Sequence, residues 1–494
     1  MGVFTLAMIN VSAIVSLRGM PAESTYGLSS VFYYIFAAVF FLVPVSLVAA
    51  ELTTGWPHKG GVYRWVGEAF GKKWGFLAIW LQWIESTIWF PTVLTFAAVS
   101  LAFMGPGQRW DEALAANKWY VLIVVLCVYW AATLLNLRGM KTSAGVTKWG
   151  TIIGTIVPGA ILILLGLGYW AGGNPILLDM SWDKLVPDMS NFNNLVLAAS
   201  IFLFYAGMEM SAVHVKDVDN PGRNYPLAIL ISAIITVLIF VLGTLAIGFI
   251  IPNSQINLVQ SLLITYDSYF SFFGLGWMNW ILALALAVGV LAQVTAWVGG
   301  PSKGLYQVGL AGNLPPVMQK RNKNNVQMGI LLIQGGIVTL LSIMFVIMPS
   351  VQSAYQIISQ LTIILYLIMY MLMFASGIYL RYREPNTPRT FRIPGGRTFG
   401  MWVVGGLGLL ASLAAFLVSF IPPNQITVGS STMYVLLLVV GTFIFAGIPF
   451  IIHAMAKPSW KRPVDPEDAF EPFGWEKSNG SHSAATPSHS ISHE

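Results

Sequence analysis

The chain has 494 residues, of which 56% are hydrophobic and only 9% charged, and its mean hydropathy is +0.71. A soluble domain carries about 25% charged residues, so this composition excludes an ordinary soluble fold and indicates a membrane protein. The formal net charge of +6 does not indicate a nucleic-acid partner, because the basic residues lie in short loops between apolar stretches. The single cysteine, Cys127, excludes an intrachain disulfide.

Twelve apolar stretches are long enough to cross a bilayer as helices, which takes about 17–25 residues. No period-two alternation appears, so the pattern predicts an all-α bundle and not a barrel. The N-terminus lacks the basic region and cleavage site of a signal peptide, and we expect none. The predicted spans are 3–25, 29–54, 74–104, 117–137, 147–171, 193–213, 223–251, 274–299, 327–348, 352–380, 399–421 and 431–456.

The basic residues predict the orientation of these spans. If the N-terminus is cytoplasmic, 22 of the 26 Lys and Arg residues fall in cytoplasmic loops and in the tail. Cytoplasmic loops of membrane proteins carry this excess, so both termini are predicted to face the cytoplasm.

Two of the spans are interrupted. In the first, apolar residues run from Val3 only to Leu17 before Gly19 and Pro21, which gives about 22 Å of helix against a core of about 30 Å. The sixth contains Gly207, which weakens a helix. Interrupted segments at matching positions of two five-span halves point to an inverted-repeat transporter with its site at the breaks. Alternatively, Gly and Pro are simply more frequent in membrane helices.

Glu209 lies in the sixth span, directly after the interruption. A carboxylate at membrane depth costs about 2.5–3.5 kcal/mol on insertion scales, so such residues are usually functional. The alternative is a protonated or ion-paired Glu209 that only packs the bundle.

Four segments, in loops between the predicted spans or at the ends of these spans, resemble motifs of the amino acid–polyamine–organocation (APC) superfamily. They are residues 50–63 (AELTTGWPHKGGVY), 220–226 (NPGRNYP), 300–306 (GPSKGLY) and 391–396 (FRIPGG). The last two resemble the bacterial glutamate/γ-aminobutyrate antiporters in particular. The resemblance implies the LeuT-like APC fold: ten core helices in a 5+5 inverted repeat, discontinuous helices 1 and 6, and two extra C-terminal helices.

In proteins of this kind the unwound backbone of helices 1 and 6 holds the amino acid. Helix N-termini suit its carboxylate and helix C-termini its ammonium group. The corresponding residues of this sequence are Ser12, Ala13, Ser16, Tyr205, Ala206 and Gly207. Glycines common in the first segment of the superfamily are missing here, which leaves the place of unwinding open. Ser12 and Ser16 can equally be helix-packing residues.

The resemblance also implies coupling and pocket residues. Glu209 matches an acid linked to gating or proton steps, and Trp297 matches an aromatic near the pocket, although a packing role is equally compatible. Gln293 stands where similar antiporters carry a glutamate, so coupling through that charge is lost or moved. Glu85, in the middle of the third span, is a candidate for its new place, with Arg18 as its ion-pair partner.

The chain divides into a transporter domain, 1–457, and a cytoplasmic tail, 458–494. The tail contains His482, His489 and His493. We expect either a solvated, disordered end or a plug of the inner vestibule released by protonation, since imidazoles titrate near pH 6.5. Nothing fixes these histidines in the geometry of a zinc site, so no metal is expected.

Together these features predict a multi-pass amino acid transporter of the bacterial cytoplasmic membrane. The expected mechanism is exchange of an amino acid for a related amine or amino acid, with proton-coupled symport as the alternative. Its partners would be that substrate and the lipid bilayer, with no nucleic acid and no cofactor, and a homodimer is left open. The motifs of metalloproteases and serine hydrolases are missing from the sequence, which argues against an enzyme.

Overall fold

The computed structural model describes residues 2–105, 107–187, 199–211, 219–423, 430–461 and 469–476. All regular structure in these residues is helical. Ten helical stretches in them are long and apolar enough to cross a membrane. The all-α membrane class is therefore confirmed, while the twelve spans and the inverted repeat remain predictions.

The described residues form twenty α-helices, some joined end to end through short 3-10 or π turns. In chain order they are α1 (Val3–Ile14), α2 (Met20–Ser24), α3 (Ser30–Ala37), α4 (Val43–Gly55), α5 (Val62–Phe70), α6 (Lys72–Ala102), α7 (Gln108–Ala115), α8 (Lys118–Leu137), α9 (Met140–Thr151), α10 (Val157–Ala171), α11 (Ala199–Tyr205), α12 (Met208–Ser211), α13 (Pro221–Ile250), α14 (Ser261–Phe272), α15 (Asn279–Leu310), α16 (Met328–Ser342), α17 (Met344–Ile347), α18 (Val351–Arg383), α19 (Phe399–Val418) and α20 (Ser431–Ala454).

Most of the predicted limits agree with these helices to within a few residues. The eighth prediction is wrong at its end, because α15 continues through Pro301 to Leu310. Motif 300–306 is therefore helical and does not lie in a loop. A proline removes one helix hydrogen bond, and a membrane bundle tolerates this where neighbouring groups satisfy the freed carbonyl.

The centre of the bundle is formed by α6 and α18. In the most apolar 18-residue stretch of α6, 94% of the residues are buried, and in that of α18, 78% are buried. The two helices pack against each other, and α6 also packs against α15. In contrast, only 28% of the residues are buried in the most apolar stretch of α19, and only 11% in that of α20. An apolar helix that is hidden on all sides is a core helix, whereas α19 and α20 present apolar side chains to the bilayer.

A buried ion pair explains motif 391–396. Arg381 Nη2 donates to Glu51 Oε2 at 2.6 Å, and the same carboxylate oxygen accepts the backbone N–H of Ile393 at 2.8 Å. Arg381 also donates to the carbonyl of Ile393 at 2.9 Å. Because both charged side chains are buried, this network fastens the loop after α18 to the end of α4. Glu51 is therefore a structural residue.

Residues 469–476, in the predicted tail, pack on α5. Arg64 donates to the carbonyl of Glu471 at 2.7 Å, and Trp475 Nε1 donates to the carbonyl of Gly67 at 3.0 Å. The ring of Phe473 is completely buried and fills the space beside Gly67, where an added Cβ would lie 2.4 Å from the ring. The tail histidines lie outside the described residues.

Candidate functional site

A small buried cavity lies where the predicted first and sixth spans are interrupted. Its volume is about 30 Å³, which is room for about two water molecules and far below the roughly 300–1,000 Å³ of ordinary ligand sites. The two broken segments therefore leave no room for a substrate, and in this sense the conformation is closed. The wall of the cavity is formed by Ile14, Ser16, Arg18, Glu85, Ser86, Trp89, Leu203, Phe204, Ala206, Gln293, Trp297 and Tyr366.

The first interruption lies between α1 and α2. Helix α1 ends at Ile14, and both Val15 and Ser16 have extended backbone, with ψ of 119° and 120°. A 3-10 turn, Leu17–Gly19, then leads into α2. Because the α-helical bonding pattern stops here, carbonyl groups at the end of α1 and N–H groups after the break lack their regular partners. Ser16, at this break, lines the cavity.

The two broken segments touch at Gly19. A Cβ added to this glycine would lie 2.0 Å from the ring of Phe204 in α11, closer than real Cβ contacts ever come. A larger residue at position 19 would therefore require the ring of Phe204 to shift.

The second interruption lies between α11 and α12. Helix α11 ends at Tyr205 and α12 begins at Met208, and between them Gly207 has φ of +111°. Side chains rarely adopt this conformation, which is accessible to glycine. The N–H of Gly207, freed from the helix, donates to the Tyr370 hydroxyl at 2.9 Å. The ring of Trp297 lies on the other side of Gly207, 3.2 Å from where a Cβ would be.

Glu209 follows the second break and is surrounded by neutral hydrogen-bond donors. Its Oε1 accepts from Tyr366 at 2.6 Å and from Gln82 at 3.0 Å, and its Oε2 accepts from Tyr370 at 2.6 Å. The side chain is 2% exposed. No ion pair joins it to a basic residue in the described part of the chain. The acid is thus held by hydrogen bonds from α6 and α18.

Arg18 and Glu85 line the same cavity, but the structure does not pair them. Arg18 Nη1 donates to the Tyr355 hydroxyl at 3.0 Å, and its guanidinium lies 5.2 Å from the ring centre of Trp89. Glu85 is 2% exposed, and its Oε1 has no hydrogen-bond partner. The predicted ion pair between Arg18 and Glu85 is therefore wrong for this conformation: within the described residues no bridge of 4.0 Å or less joins them.

Comparison with known proteins agrees with this geometry. The family model of amino acid permeases matches residues 1–445. The chain belongs to the amino acid permease family. It is 40% identical to an uncharacterized transporter of Legionella pneumophila, covering 91% of this chain and 96% of that protein. It is 31% identical to a glutamate/γ-aminobutyrate antiporter of Lactococcus lactis (92% and 90% covered) and 24% identical to a probable agmatine/putrescine antiporter of the same species (79% and 81%). The resemblance to the APC superfamily and its antiporters is confirmed.

Most of the predicted site residues of this permease surround the cavity. Ser16, Arg18, Glu85, Ala206, Gln293 and Trp297 line it directly. Gly207 and Glu209 lie behind its wall, linked through Tyr370. Tyr205 is directed elsewhere, since its hydroxyl donates to the carbonyl of Tyr34 at 3.2 Å. Ser12 and Ala13 belong to the last turn of α1, and their side chains lie outside what the structure describes. Their functional roles remain predictions.

Sequence reasoning missed several residues of the permease site. Tyr366 and Tyr370, one turn apart on α18, hold Glu209, and Tyr355 holds Arg18. Tyrosines within an apolar span give no signal that separates them from packing residues. Glu23 was also missed, although it is an acid inside the first predicted span and gave the same signal as Glu209.

Proposed function

We propose that this permease is an amino acid antiporter that exchanges an amino acid for a related amine or amino acid by alternating access. The observation that carries the proposal is the closed cavity between two helix breaks, which contains one basic and one acidic side chain, Arg18 and Glu85. A basic and an acidic group beside free backbone groups suit a zwitterion.

In this proposal the substrate binds at the two breaks. N–H groups after the first break take the α-carboxylate, and carbonyl groups at the end of α1, near Ser12 and Ala13, take the ammonium group. Ser16 and Ala206 form the floor, and Trp297 covers the substrate. Tyr205 and Gly207 set the path of the second break. Because 30 Å³ is too small for an amino acid, α2 and α11 must separate from their neighbours before the substrate can enter.

The coupling residues follow from the same arrangement. Arg18 and Glu85 provide the basic and the acidic group that distinguish substrates, with the neutral Gln293 beside them. Glu209 connects the second break to α18 through Tyr370, so a change in its protonation or hydrogen bonding alters the break. Exchange of an amino acid for a more cationic product would move net charge, worth about 2.3 kcal/mol per charge per 100 mV.

The finer architecture belongs to the same proposal. The ten long helices, with the two broken ones, make twelve spans: a 5+5 inverted repeat and two peripheral C-terminal helices. Both termini face the cytoplasm of a bacterial cell. A homodimer is a separate hypothesis, which light scattering of the purified protein tests.

Transport by the purified chain in liposomes tests the proposal. Labelled glutamate, γ-aminobutyrate, agmatine and the common amino acids are offered outside, with and without an unlabelled compound inside. An exchanger takes up label only when the lumen contains a substrate, and a pH gradient alone does not drive uptake. If no compound is exchanged, the proposal is wrong.

Proton-coupled symport is the second candidate, because Glu85 has an unbonded carboxylate oxygen in the cavity. Such a group can carry a proton. A symporter accumulates label in empty liposomes when a pH gradient is imposed, and Glu85→Gln abolishes that accumulation.

A further inference from the structure

Glu23 is a buried acid that the transport proposal does not use. It lies on α2, directly after the first break, and is completely buried. Its Oε1 accepts a hydrogen bond from the Ser200 hydroxyl of α11. Its Oε2 is also buried and has no hydrogen-bond partner. The carboxyl group therefore lies between the two broken segments, one helical turn beyond the contact of Gly19 with Phe204.

Among the described residues, no basic side chain forms an ion pair of 4.0 Å or less with Glu23. Tyr34 of α3 and Tyr205 of α11 are near enough to interact with it electrostatically, and both are phenols. Helix α14 carries Asp267, which is bonded to Asn279. Arg18, in the turn before α2, is bonded to Tyr355.

Helix α13, which also packs against α2, supplies no charge either. Its Thr244 bonds to the hydroxyl of Tyr34 at 2.9 Å. The charged residue of this helix, Arg223, is in its first turn, about 30 Å of helix away from Thr244.

Burial of an ionised carboxylate without a cation is unfavourable, even after the surroundings have relaxed. A neutral carboxylic acid avoids most of this cost. One hydroxyl donor, Ser200, is a weak substitute for the solvation that an anion loses. The closed arrangement of α2 and α11 thus favours the protonated acid, whereas water would favour the anion once the two segments separate.

We propose that Glu23 is a proton-binding site in the gate between α2 and α11, protonated while the gate is closed and ionised when it opens. Opening releases one proton from the carboxylic acid to the water on the side of α2, which is the side opposite the cytoplasm in the predicted orientation. Closing takes one proton from the same water. The effect of this proton on exchange rests on the proposed transport function. The protonation of Glu23 itself can be detected without transport. Acid on that side holds the gate closed.

The first test is infrared spectroscopy of the full-length protein in liposomes at neutral pH. A protonated carboxylic acid has a C=O stretching band distinct from that of a carboxylate. The difference between the parent and Glu23→Gln should contain one such band, and Ser200→Ala should shift it, because the hydrogen bond is lost while the acid remains. If the parent and Glu23→Gln differ only in carboxylate bands, Glu23 is ionised and the proposal is overturned.

The second test is the pH dependence of exchange, with each side of the membrane buffered separately between about pH 5 and pH 8. Acid on the side of α2 should slow the parent, and Glu23→Gln should lose this dependence. Asp183→Asn is the matched control, since Asp183 is an exposed acid (71%) in a turn that touches the segment after α2; it should keep the parent's profile.

The two experiments separate the two proposals. A parent that exchanges no substrate contradicts the transport function, while the infrared band still decides whether Glu23 carries a proton. A parent that exchanges substrate, with an unchanged pH profile in a monodisperse Glu23→Gln protein, contradicts the gate.

Discussion

Tyr370 donates its hydroxyl proton to Glu209 Oε2 at 2.6 Å and, with the same oxygen, accepts the N–H of Gly207 at 2.9 Å. One hydroxyl group thus stabilises both the backbone of the second helix break and the buried acid that follows it. This bridge links the site to α18, a core helix of the bundle.

Tyr370→Phe should destabilise the closed protein by about 1–3 kcal/mol, because it leaves both a buried N–H and a carboxylate oxygen without their partner. Tyr366→Phe is the matched control one turn away, as it removes a hydrogen bond to Glu209 without affecting Gly207. Thermal unfolding in detergent measures both. Equal effects of the two variants would contradict the bridging role.

Gly19→Ala should also destabilise the closed conformation, by about 1–3 kcal/mol, since its Cβ would overlap the ring of Phe204. Phe204→Leu in the same chain should recover part of the loss by making room. Gly2→Ala, where no atom lies near the added Cβ, is the control. An undiminished melting temperature in Gly19→Ala alone would show that the two segments do not pack this closely.

The contribution of Arg18 to the free energy of unfolding should depend on Tyr355 more than on Glu85. A double-mutant cycle of Arg18→Gln with Tyr355→Phe should give a coupling energy of about 1.5–3 kcal/mol, as expected for a hydrogen bond to a charged group. The cycle of Arg18→Gln with Glu85→Gln should give a smaller value. Exchange of the two charges, Arg18→Glu with Glu85→Arg, should not restore expression, and recovery would show that they pair in another conformation.

The docked segment 469–476 should bind more tightly in acid. Burial raises the pKa of Glu68 above its usual range, although the Gly474 N–H and Arg64 oppose this shift. A carboxyl whose pKa is raised in the docked state favours that state at low pH, and the advantage is lost as the pH rises through that pKa. The pair of His58 with Glu471, 3.1 Å apart, is an ion pair only when the imidazole is protonated and acts in the same direction.

Hydrogen exchange at Gly474 and Trp475, corrected for intrinsic rates, measures this docking. Protection should increase from about pH 8 to pH 5, and Gly67→Ala should reduce it at every pH, because the added Cβ displaces Phe473. Release of the segment in acid would instead support the plug hypothesis. Uptake by a chain truncated after Lys457 tests the plug hypothesis directly. Unchanged uptake over the same pH range excludes a plug.

The parts of this fold that depend on local sequence were predictable. Span length and the charge of loops locate most of the helices, and Gly207 marks the second break. The place of the first break was left open by the sequence, and in the structure the helix ends at Ile14. Apolar composition alone does not locate such a break, because both conformations bury the same residues.

The parts that depend on distant contacts were not predictable. The bond from Tyr370 to Glu209 joins residues 161 positions apart, and the bond from Arg64 to Glu471 joins residues 407 apart. Arg18 and Glu85 were paired by charge alone, but a phenol and an indole ring occupy the place of the expected carboxylate. A single sequence carries no signal for these neighbours.

The most direct test of the site is protection of a cysteine at Ser16 by substrate. The variant Ser16→Cys is made with Cys127→Ser, so that the introduced thiol is the single cysteine of the chain. An exchanged substrate should slow alkylation of the thiol introduced at position 16, whereas a compound that is not exchanged should leave the rate unchanged. Equal alkylation with and without a saturating, transported substrate would contradict binding at the helix breaks.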